Sequence, residues 1–168
     1  KNLGAIGDGG AIVTSDQELS KKIRLLREYG WRRRYISSHE GWNSRLDEIQ
    51  AAILREKLKS LDLDNARRQQ HAGQYEKILE SVPIDLPQVR PQATHVYHLY
   101  VIQSDQRDGL RQYLLDQGVQ TTIQYPVAIH QQDYYQNIVG DISLPVTERV
   151  SGRVLSLPVY PELDATEL

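Results

Sequence analysis

The sequence predicts an α/β fold, in which helices alternate with short apolar strands. Residues 44–80 carry apolar side chains at helical spacing, and residues 95–102 form a nearly continuous apolar and aromatic run. The first pattern is typical of a long amphipathic helix and the second of a covered strand. A strand, helix and strand then follow over residues 95–124, which favours a small α/β layer domain. With 168 residues, of which 39% are hydrophobic, the chain is long enough to bury a core.

Composition excludes several classes of function. The net charge of −2 implies no general basic surface, so nucleic acid is not an expected partner. The absence of cysteine excludes disulfides, thiolate metal sites and a cysteine nucleophile. No apolar run approaches the roughly 18 residues that cross a bilayer. No membrane association is therefore predicted, and a cytoplasmic location is expected.

The first 43 residues read as a turn, a strand, a helix and an irregular stretch. Glycines make residues 1–10 a tight turn, and the apolar residues 11–14 predict a short strand. Asp16 is a good N-cap for a helix that runs to about Tyr29, where Gly30 ends it. We expect residues 30–43 to be irregular, although they contain both tryptophans and a run of arginines.

Residues 44–80 predict either one long helix or a kinked pair. Asn43 or Ser44 can cap its start, and Pro83 follows its end. The apolar stripe consists of Leu46, Ile49, Ile53, Leu54, Leu58 and Leu61.

The remainder reads as a linker followed by the small domain. Three prolines make residues 83–94 extended, and the strand over 95–102 follows. Asp105 is expected to cap a helix that Gly118 ends, before a strand over Val119–Gln124 and a helix near 146–155. A further helix is expected to begin at Asp164. Neither end reads as a natural start or stop, and we divide the chain into segments 1–43, 44–82 and 83–168.

Several side chains could carry chemistry, and each also has an ordinary structural interpretation. Lys1, beside a glycine turn, could bond an aldehyde cofactor, but most loop lysines are simply solvated. Asn43 is by itself a helix cap. The group Arg27, Arg32, Arg33 and Arg34 is either a solvated loop or a clamp for a diphosphate, with Trp31 and Tyr35 beside it.

The histidines do not predict a metal site. His95 and His98 lie three apart on the predicted strand and so face opposite sides. His98 is then a buried, hydrogen-bonded residue. His130, in the loop after Tyr125, is the better candidate for contact with a substrate, and no acidic cluster with metal spacing accompanies any histidine.

Five sequence blocks together resemble one enzyme family. The blocks are Lys1-Asn2-Leu3-Gly4 through Gly9-Gly10-Ala11, residues 41–54, residues 95–101, residues 124–130 and residues 155–161. In this order they resemble the DegT/DnrJ/StrS family of pyridoxal-phosphate-dependent nucleotide-sugar aminotransferases. Residues 27–35 look most like members that act on dTDP-linked 3-keto-6-deoxyhexoses. The resemblance implies fold type I, with this chain forming the end of the large domain, a connecting helix and the small C-terminal α/β domain.

The resemblance also implies roles for particular residues. Lys1 would be the catalytic lysine that binds pyridoxal phosphate and moves a proton. Asn43 would bond the cofactor phosphate of the neighbouring subunit in a homodimer, and Arg45 either adds charge there or is an exposed arginine. Arg32, Arg33, Tyr35 and His130 are substrate candidates. The implied substrates are a nucleotide-linked keto-sugar and an amino-acid donor such as glutamate.

Two rival functions stay open at this point. Sugar dehydratases on the same scaffold commonly replace the lysine with histidine, so Lys1 argues against that reaction. A non-catalytic regulatory relative is the other rival, and it depends on residues upstream of Lys1. The isolated chain is expected to be inactive because most of the cofactor pocket would be contributed by those residues.

Overall fold

The computed structural model describes residues 1–164, so the helix expected from Asp164 falls mainly outside the described residues. Contacts between Cα atoms divide the chain into a first unit, Lys1 with Leu3–Leu61, and a second unit, Asn2 with the residues from Asp62 onward. The helices are α1 Gln17–Leu26, α2 Glu48–Lys57, α3 Leu61–Leu79, α4 Arg107–Asp116, α5 Asp133–Val139 and α6 Pro145–Arg153, with a 3₁₀ turn at Ile129–Gln131. The strands are β1 Trp31–Arg33, β2 Ile36–Ser37, β3 Tyr100–Gln103 and β4 Val154–Leu157. The mixture of helix and sheet agrees with the predicted α/β class.

Helix α1 begins where the sequence predicts. The Asp16 carboxylate accepts hydrogen bonds from the backbone N–H of Glu18 at 2.9 Å and of Leu19 at 3.0 Å. This confirms the predicted cap, which satisfies two donors that the helix itself cannot pair. The helix ends at Leu26, slightly before the predicted Tyr29, and Gly30 follows with a φ of +68°.

The strand predicted at residues 11–14 does not form. A strand needs a hydrogen-bonded neighbour, and no segment within residues 1–164 pairs with this one. Ile12 and Val13 are 70% and 93% exposed. Their apolar, β-branched side chains favour a strand, but the partner that would make one is not among the described residues.

Two helices, α2 and α3, cover most of residues 44–80, where the sequence predicts either one long helix or a kinked pair. A turn at residues 58–60 separates α2 from α3, with the Lys59 N–H bonding the Glu56 carbonyl at 3.1 Å. The predicted caps were wrong, because α2 begins only at Glu48, after Asp47. Asn43 instead accepts a hydrogen bond from Arg45, and the Ser44 N–H bonds the Arg27 carbonyl.

The second unit is built on an antiparallel pair, β3 and β4. Tyr100 lies opposite Leu157, and Gln103 lies opposite Val154. Single bridges extend the pair on either side, from Gln103 to Asp85 and from Ser156 to Thr122. The buried core cluster consists of Ala72, Tyr75, Tyr97, Tyr100, Ile102, Leu155 and Leu157. Helix α3 and this sheet therefore share one hydrophobic core.

Two strand predictions in the second unit were too long. Of residues 95–102 only Tyr100–Ile102 are strand, because Tyr97 has a φ of +42° that no strand can contain. Of residues 119–124 only Thr122 pairs with a neighbour, by the single bridge to Ser156.

The helices of the small domain are close to the prediction, but one cap was wrong. The Ser104 hydroxyl accepts the Gln106 N–H before α4, and the Asp105 carboxylate pairs with Arg153 at 2.7 Å instead. Gly118 follows α4 with a φ of +83°, as its predicted role requires. Helix α6 matches the predicted helix near 146–155. Within residues 1–164 no helix is long and apolar enough to span a membrane.

Candidate active site

Lys1 is exposed, and the loop that follows it lies against α2. Gly4 has a φ of +73°, and a Cβ at this position would lie 2.5 Å from the Lys57 Nζ. Further along, the Gln50 side-chain amide donates to the Asp8 carbonyl at 3.0 Å. The left-handed backbone at position 4 therefore favours glycine, whereas the flexible Lys57 side chain could move away from a Cβ.

The segment after α1 is held by backbone hydrogen bonds to the end of that helix. The Gly30 N–H bonds the Leu25 carbonyl at 2.8 Å, and the Trp42 N–H bonds that of Leu26 at 2.8 Å. A Cβ on Gly30 would lie 1.9 Å from the His39 carbonyl oxygen, and one on Gly41 would lie 2.1 Å from the Gly30 nitrogen. Two glycines thus let the backbones cross closely, and this crossing fixes the hairpin of β1 and β2.

The same crossing brings Asn43 and Arg45 beside Tyr29. Arg45 Nε donates to the Asn43 Oδ1 at 3.0 Å, and its guanidinium carbon lies 5.5 Å from the centre of the Tyr29 ring. The Tyr29 ring in turn lies 4.9 Å from that of Trp31. The arginine is oriented by these two partners, while the Asn43 amide nitrogen and the guanidinium Nη1 have no hydrogen-bond partner assigned within residues 1–164.

An open groove of about 480 Å³ lies along the hairpin, and we call it the arginine groove. Three guanidinium groups and one carboxylate line it, which makes it cationic. An aromatic pair forms part of its wall, with the ring centres of Trp31 and Tyr35 5.4 Å apart. The lining residues are Glu28, Trp31, Arg33, Arg34, Tyr35 and Arg45. Clustered guanidiniums beside aromatic rings suit a phosphate-bearing ligand with a planar group.

The structure brings together some of the predicted site residues and separates others. Arg33, Tyr35 and Arg45 share the arginine groove, but Arg32 does not line it. Lys1 does not line it either. His130 belongs to the second unit, where it is buried.

His130 is engaged in a pair with Glu148. The two side chains meet at 3.0 Å, between His130 Nε2 and Glu148 Oε1, and the same carboxylate accepts the Leu144 N–H at 2.6 Å. The backbone bond from Leu144, then the bond from His130, hold the pKa of Glu148 below its usual range. The contacts of His130 in the described residues are therefore structural ones.

The other histidines also have local partners. His95 Nδ1 accepts the Tyr97 N–H at 2.8 Å. His98, predicted to be buried, is only half-buried, since the residues around it form a loop instead of a covered strand. No group of three or more histidines and carboxylates within residues 1–164 could hold a metal ion.

Sequence reasoning missed Tyr29 and Glu28. Both lie at the end of α1, where the Glu28 backbone forms a bridge with Asn43 and Tyr29 has a φ of +58°. A tyrosine in the left-handed region is uncommon and has no sequence signature. Gly30 and Gly41 were the available signal, because paired glycines around an arginine run indicate a close backbone crossing.

Fold and site together define an α/β protein with a lysine-bearing glycine loop and a cationic, aromatic groove. The chain matches the DegT/DnrJ/EryC1/StrS aminotransferase family over residues 1–168, and it belongs to that family.

Individual relatives agree with this assignment. The chain is 48% identical over 165 residues to the erythromycin biosynthesis sensory transduction protein EryC1 of Saccharopolyspora erythraea, covering 97% of this chain and 45% of that protein. It is 44% identical to the dTDP-3-amino-3,4,6-trideoxy-alpha-D-glucose transaminase of Streptomyces venezuelae, covering 98% and 44%. The crystal structure of S. venezuelae DesV in complex with a ketimine intermediate superimposes with a TM-score of 0.95 at 43% identity, covering 99% and 46%. The chain therefore spans a little under half the length of these relatives.

Proposed function

We propose that the protein to which this chain belongs is a pyridoxal-phosphate-dependent aminotransferase. Its substrate would be a nucleotide-linked keto-deoxysugar, and its amino donor an amino acid such as glutamate. The observation that carries the proposal is the family match over the whole chain, together with an exposed lysine directly before the glycine loop. The transaminase relative from Streptomyces venezuelae supports the substrate class.

The residues present fit the cofactor that this family uses. Aminotransferases of the family depend on pyridoxal phosphate. An exposed primary amine suits its aldehyde, and amide and guanidinium donors suit its phosphate. Lys1 would provide the amine. Asn43 and Arg45, already hydrogen-bonded to each other at 3.0 Å, would provide the phosphate donors. When bound, pyridoxal phosphate supplies an electron sink that stabilises a carbanion.

Lys1 has two tasks in this proposal. Its Nζ would hold the cofactor covalently, and in its free, neutral form it would take a proton from the donor carbon and give it back. A lysine suits both tasks because its ammonium sits on a flexible four-carbon side chain. Lys1 is exposed in the described residues.

The arginine groove is the proposed site for the substrate's diphosphate. Arg33 and Arg34 can donate paired N–H groups to phosphate oxygens, and Tyr35 supplies an aromatic face. Arg34 already lies over the Tyr35 ring, with its guanidinium carbon 4.9 Å from the ring centre. Arg32 and His130 stay weaker substrate candidates, because the first lies outside the groove and the second is bonded to Glu148.

Assembly and domain layout are part of the same proposal. We infer a homodimer in which Asn43 serves the neighbouring subunit's cofactor. We also keep the segments 1–43, 44–82 and 83–168 as the end of the large domain, connecting helices and small domain. A cytoplasmic location remains a prediction.

The substitution Lys1→Ala in the full-length protein tests this function. Wild-type protein mixed with pyridoxal phosphate should show an absorbance band at the edge of the visible range, and Lys1→Ala should lose it. Transamination should fall by at least about 10²–10⁴-fold, the usual contribution of a positioned acid/base group. Lys59→Ala is the matched control, since Lys59 is an exposed lysine that pairs with Glu56. A band that survives in Lys1→Ala would refute the assignment.

A regulatory function is the second candidate, and the name of the EryC1 relative favours it. A regulator need not turn over substrate. Wild-type protein that binds pyridoxal phosphate through Lys1 yet transfers no amine to any keto-sugar tested would support this alternative. A dehydratase is disfavoured because Lys1 is present where those enzymes commonly have histidine.

A further inference from the structure

A polar row on α3 holds the loop at residues 95–97. Asn65, Arg68 and Gln69 follow the spacing i, i+3 and i+4, so they lie on one face of the helix. Arg68 Nη1 donates to the Tyr97 carbonyl at 3.2 Å, and Gln69 Nε2 donates to the His95 carbonyl at 3.0 Å. The helix thus stabilises a segment in which Tyr97 has a positive φ of 42°.

The carbonyl between these two, that of Val96, is bonded by Asn2. The Asn2 Nδ2 donates to the Val96 oxygen at 2.8 Å and to the Asn65 Oδ1 at 2.7 Å. A carbonyl can only accept, so the Asn2 atom that faces Val96 must be the nitrogen. The Asn65 atom that faces the same NH₂ must then be its oxygen. Both N–H groups of the Asn2 amide are therefore used by neighbours far away in sequence.

This arrangement fixes the residue that follows Lys1. An amide with two short hydrogen bonds leaves its side chain little freedom, and the backbone at position 2 is restrained with it. Lys1 is joined to that backbone by one peptide bond. A lysine that anchors a group and moves a proton needs its starting point held to within about 0.5 Å.

We propose that Asn2 and Asn65 form a clamp that sets the position of Lys1. Asn65 is then a positioning residue for the lysine amine, although it is distant in sequence and carries no chemistry of its own. The part of this inference that concerns Lys1 rests on the proposed function. The hydrogen bonds that carry it do not.

The test uses three substitutions on α3 in the full-length protein. Asn65→Leu removes the acceptor at similar volume, whereas Asn65→Asp keeps an oxygen facing Asn2. Gln70→Leu is the matched control, because Gln70 is an exposed amide on the same helix. Asn2→Ala removes the other half of the clamp, and it replaces Asn65→Leu in the test if that variant does not fold.

The first measurement is tryptic cleavage between Lys1 and Asn2 in cofactor-free protein, followed by mass spectrometry. A lost hydrogen bond should speed cleavage by a few-fold to about tenfold in Asn65→Leu and Asn2→Ala, with Asn65→Asp and Gln70→Leu near wild type. The double substitution should be no faster than Asn2→Ala alone, because Asn2→Ala already removes the bond to Asn65 together with the bond to Val96. Cleavage at the wild-type rate in Asn65→Leu would overturn the clamp.

The second measurement is the pH titration of the absorbance band that pyridoxal phosphate forms with Lys1. The midpoint should move in Asn65→Leu and in Asn2→Ala and stay at the wild-type value in Gln70→Leu. Faster cleavage with an unmoved midpoint would show that the clamp does not position the amine. Absence of the band from the wild type would refute the proposed function, and the cleavage rates would still decide whether the clamp exists.

Discussion

The two units of the chain bury their apolar residues very differently. Within the first unit, where every residue is described, Gly30 is the only buried residue. The second unit contains the whole core cluster, and Tyr100, Ile102 and Leu155 in it are essentially inaccessible to solvent. Apolar side chains are nonetheless present in the first unit. Those exposed include Ile6, Ile12, Val13, Trp42, Ile49 and Leu58.

The two units therefore differ in role: the second contains the hydrophobic core, and the first carries the candidate site. The core of the second unit is a hydrophobic cluster that gains free energy from burial within the described residues. The first unit is held by a helix cap, a glycine crossing and backbone hydrogen bonds, and it carries Lys1, Asn43 and the arginine groove. The candidate site therefore lies on the unit with less burial of its own within the described residues.

The largest effect is expected from a substitution in the core of the second unit. Leu155→Ala removes a fully buried side chain and leaves a cavity, so the free energy of unfolding should fall by about 2–5 kcal/mol. Urea denaturation of residues 1–168, followed by far-UV circular dichroism, measures it. Ile49→Ala is the matched control in the first unit, because Ile49 is 79% exposed and should change stability by less than about 0.5 kcal/mol. Equal losses in the two variants would mean that the units do not differ as described.

A smaller change in the free energy of unfolding is expected when either of two tyrosines in the same core loses its hydroxyl, and the two variants should differ. The Tyr75 hydroxyl donates to the Pro158 carbonyl at 2.9 Å, whereas the buried Tyr100 hydroxyl has no hydrogen-bond partner within residues 1–164. Tyr75→Phe should therefore cost about 1 kcal/mol, and Tyr100→Phe should be neutral or stabilising. Denaturation at pH 7 compares them. A Tyr100→Phe loss as large as that of Tyr75→Phe would show that the Tyr100 hydroxyl has a partner after all.

Both tyrosines also make the second unit sensitive to alkali. Burial raises the pKa of Tyr75 and the pKa of Tyr100 to about 12 each. Their folded pKa values lie above the unfolded value of about 10, so the neutral phenols stabilise the fold fully below about pH 10. That contribution is lost as pH rises from about 10 through about 12, because the unfolded tyrosines release their protons first. The free energy of unfolding of each Phe variant should therefore fall less steeply with pH over this range.

The smallest effect concerns the first unit alone. Asp16→Ala removes the carboxylate that caps α1, so local opening of Gln17–Leu26 should become easier by about 1 kcal/mol, or roughly fivefold in amide exchange. Hydrogen exchange with mass spectrometry measures this helix, and peptides from β3 and β4 should stay unchanged. Asp16→Asn keeps the acceptor oxygen and should exchange almost like the wild type. Faster exchange in β3 as well would show that the two units open together.

Much of the local structure follows from residue types at fixed spacing. Asp16 predicts a cap and provides one, and Gly118 predicts the end of α4 and has the positive φ expected there. The family blocks also follow from residue order alone. The places where prediction failed are those that depend on a distant partner. Residues 11–14 have strand composition without a strand beside them, and Asn43 bonds Arg45 where a helix cap was expected.

The sequence by itself determined the family, the lysine at the glycine loop and the class of α/β fold, because these reside in residue identity and short-range spacing. Only the tertiary structure decided that Arg33 and Arg34 share a groove with Arg45 while Arg32 does not. It alone showed that Asn2 bonds Asn65, 63 residues away, and that His130 is bonded to Glu148. Such pairings depend on which elements pack together, and loop residues carry no periodic pattern that would reveal their partners.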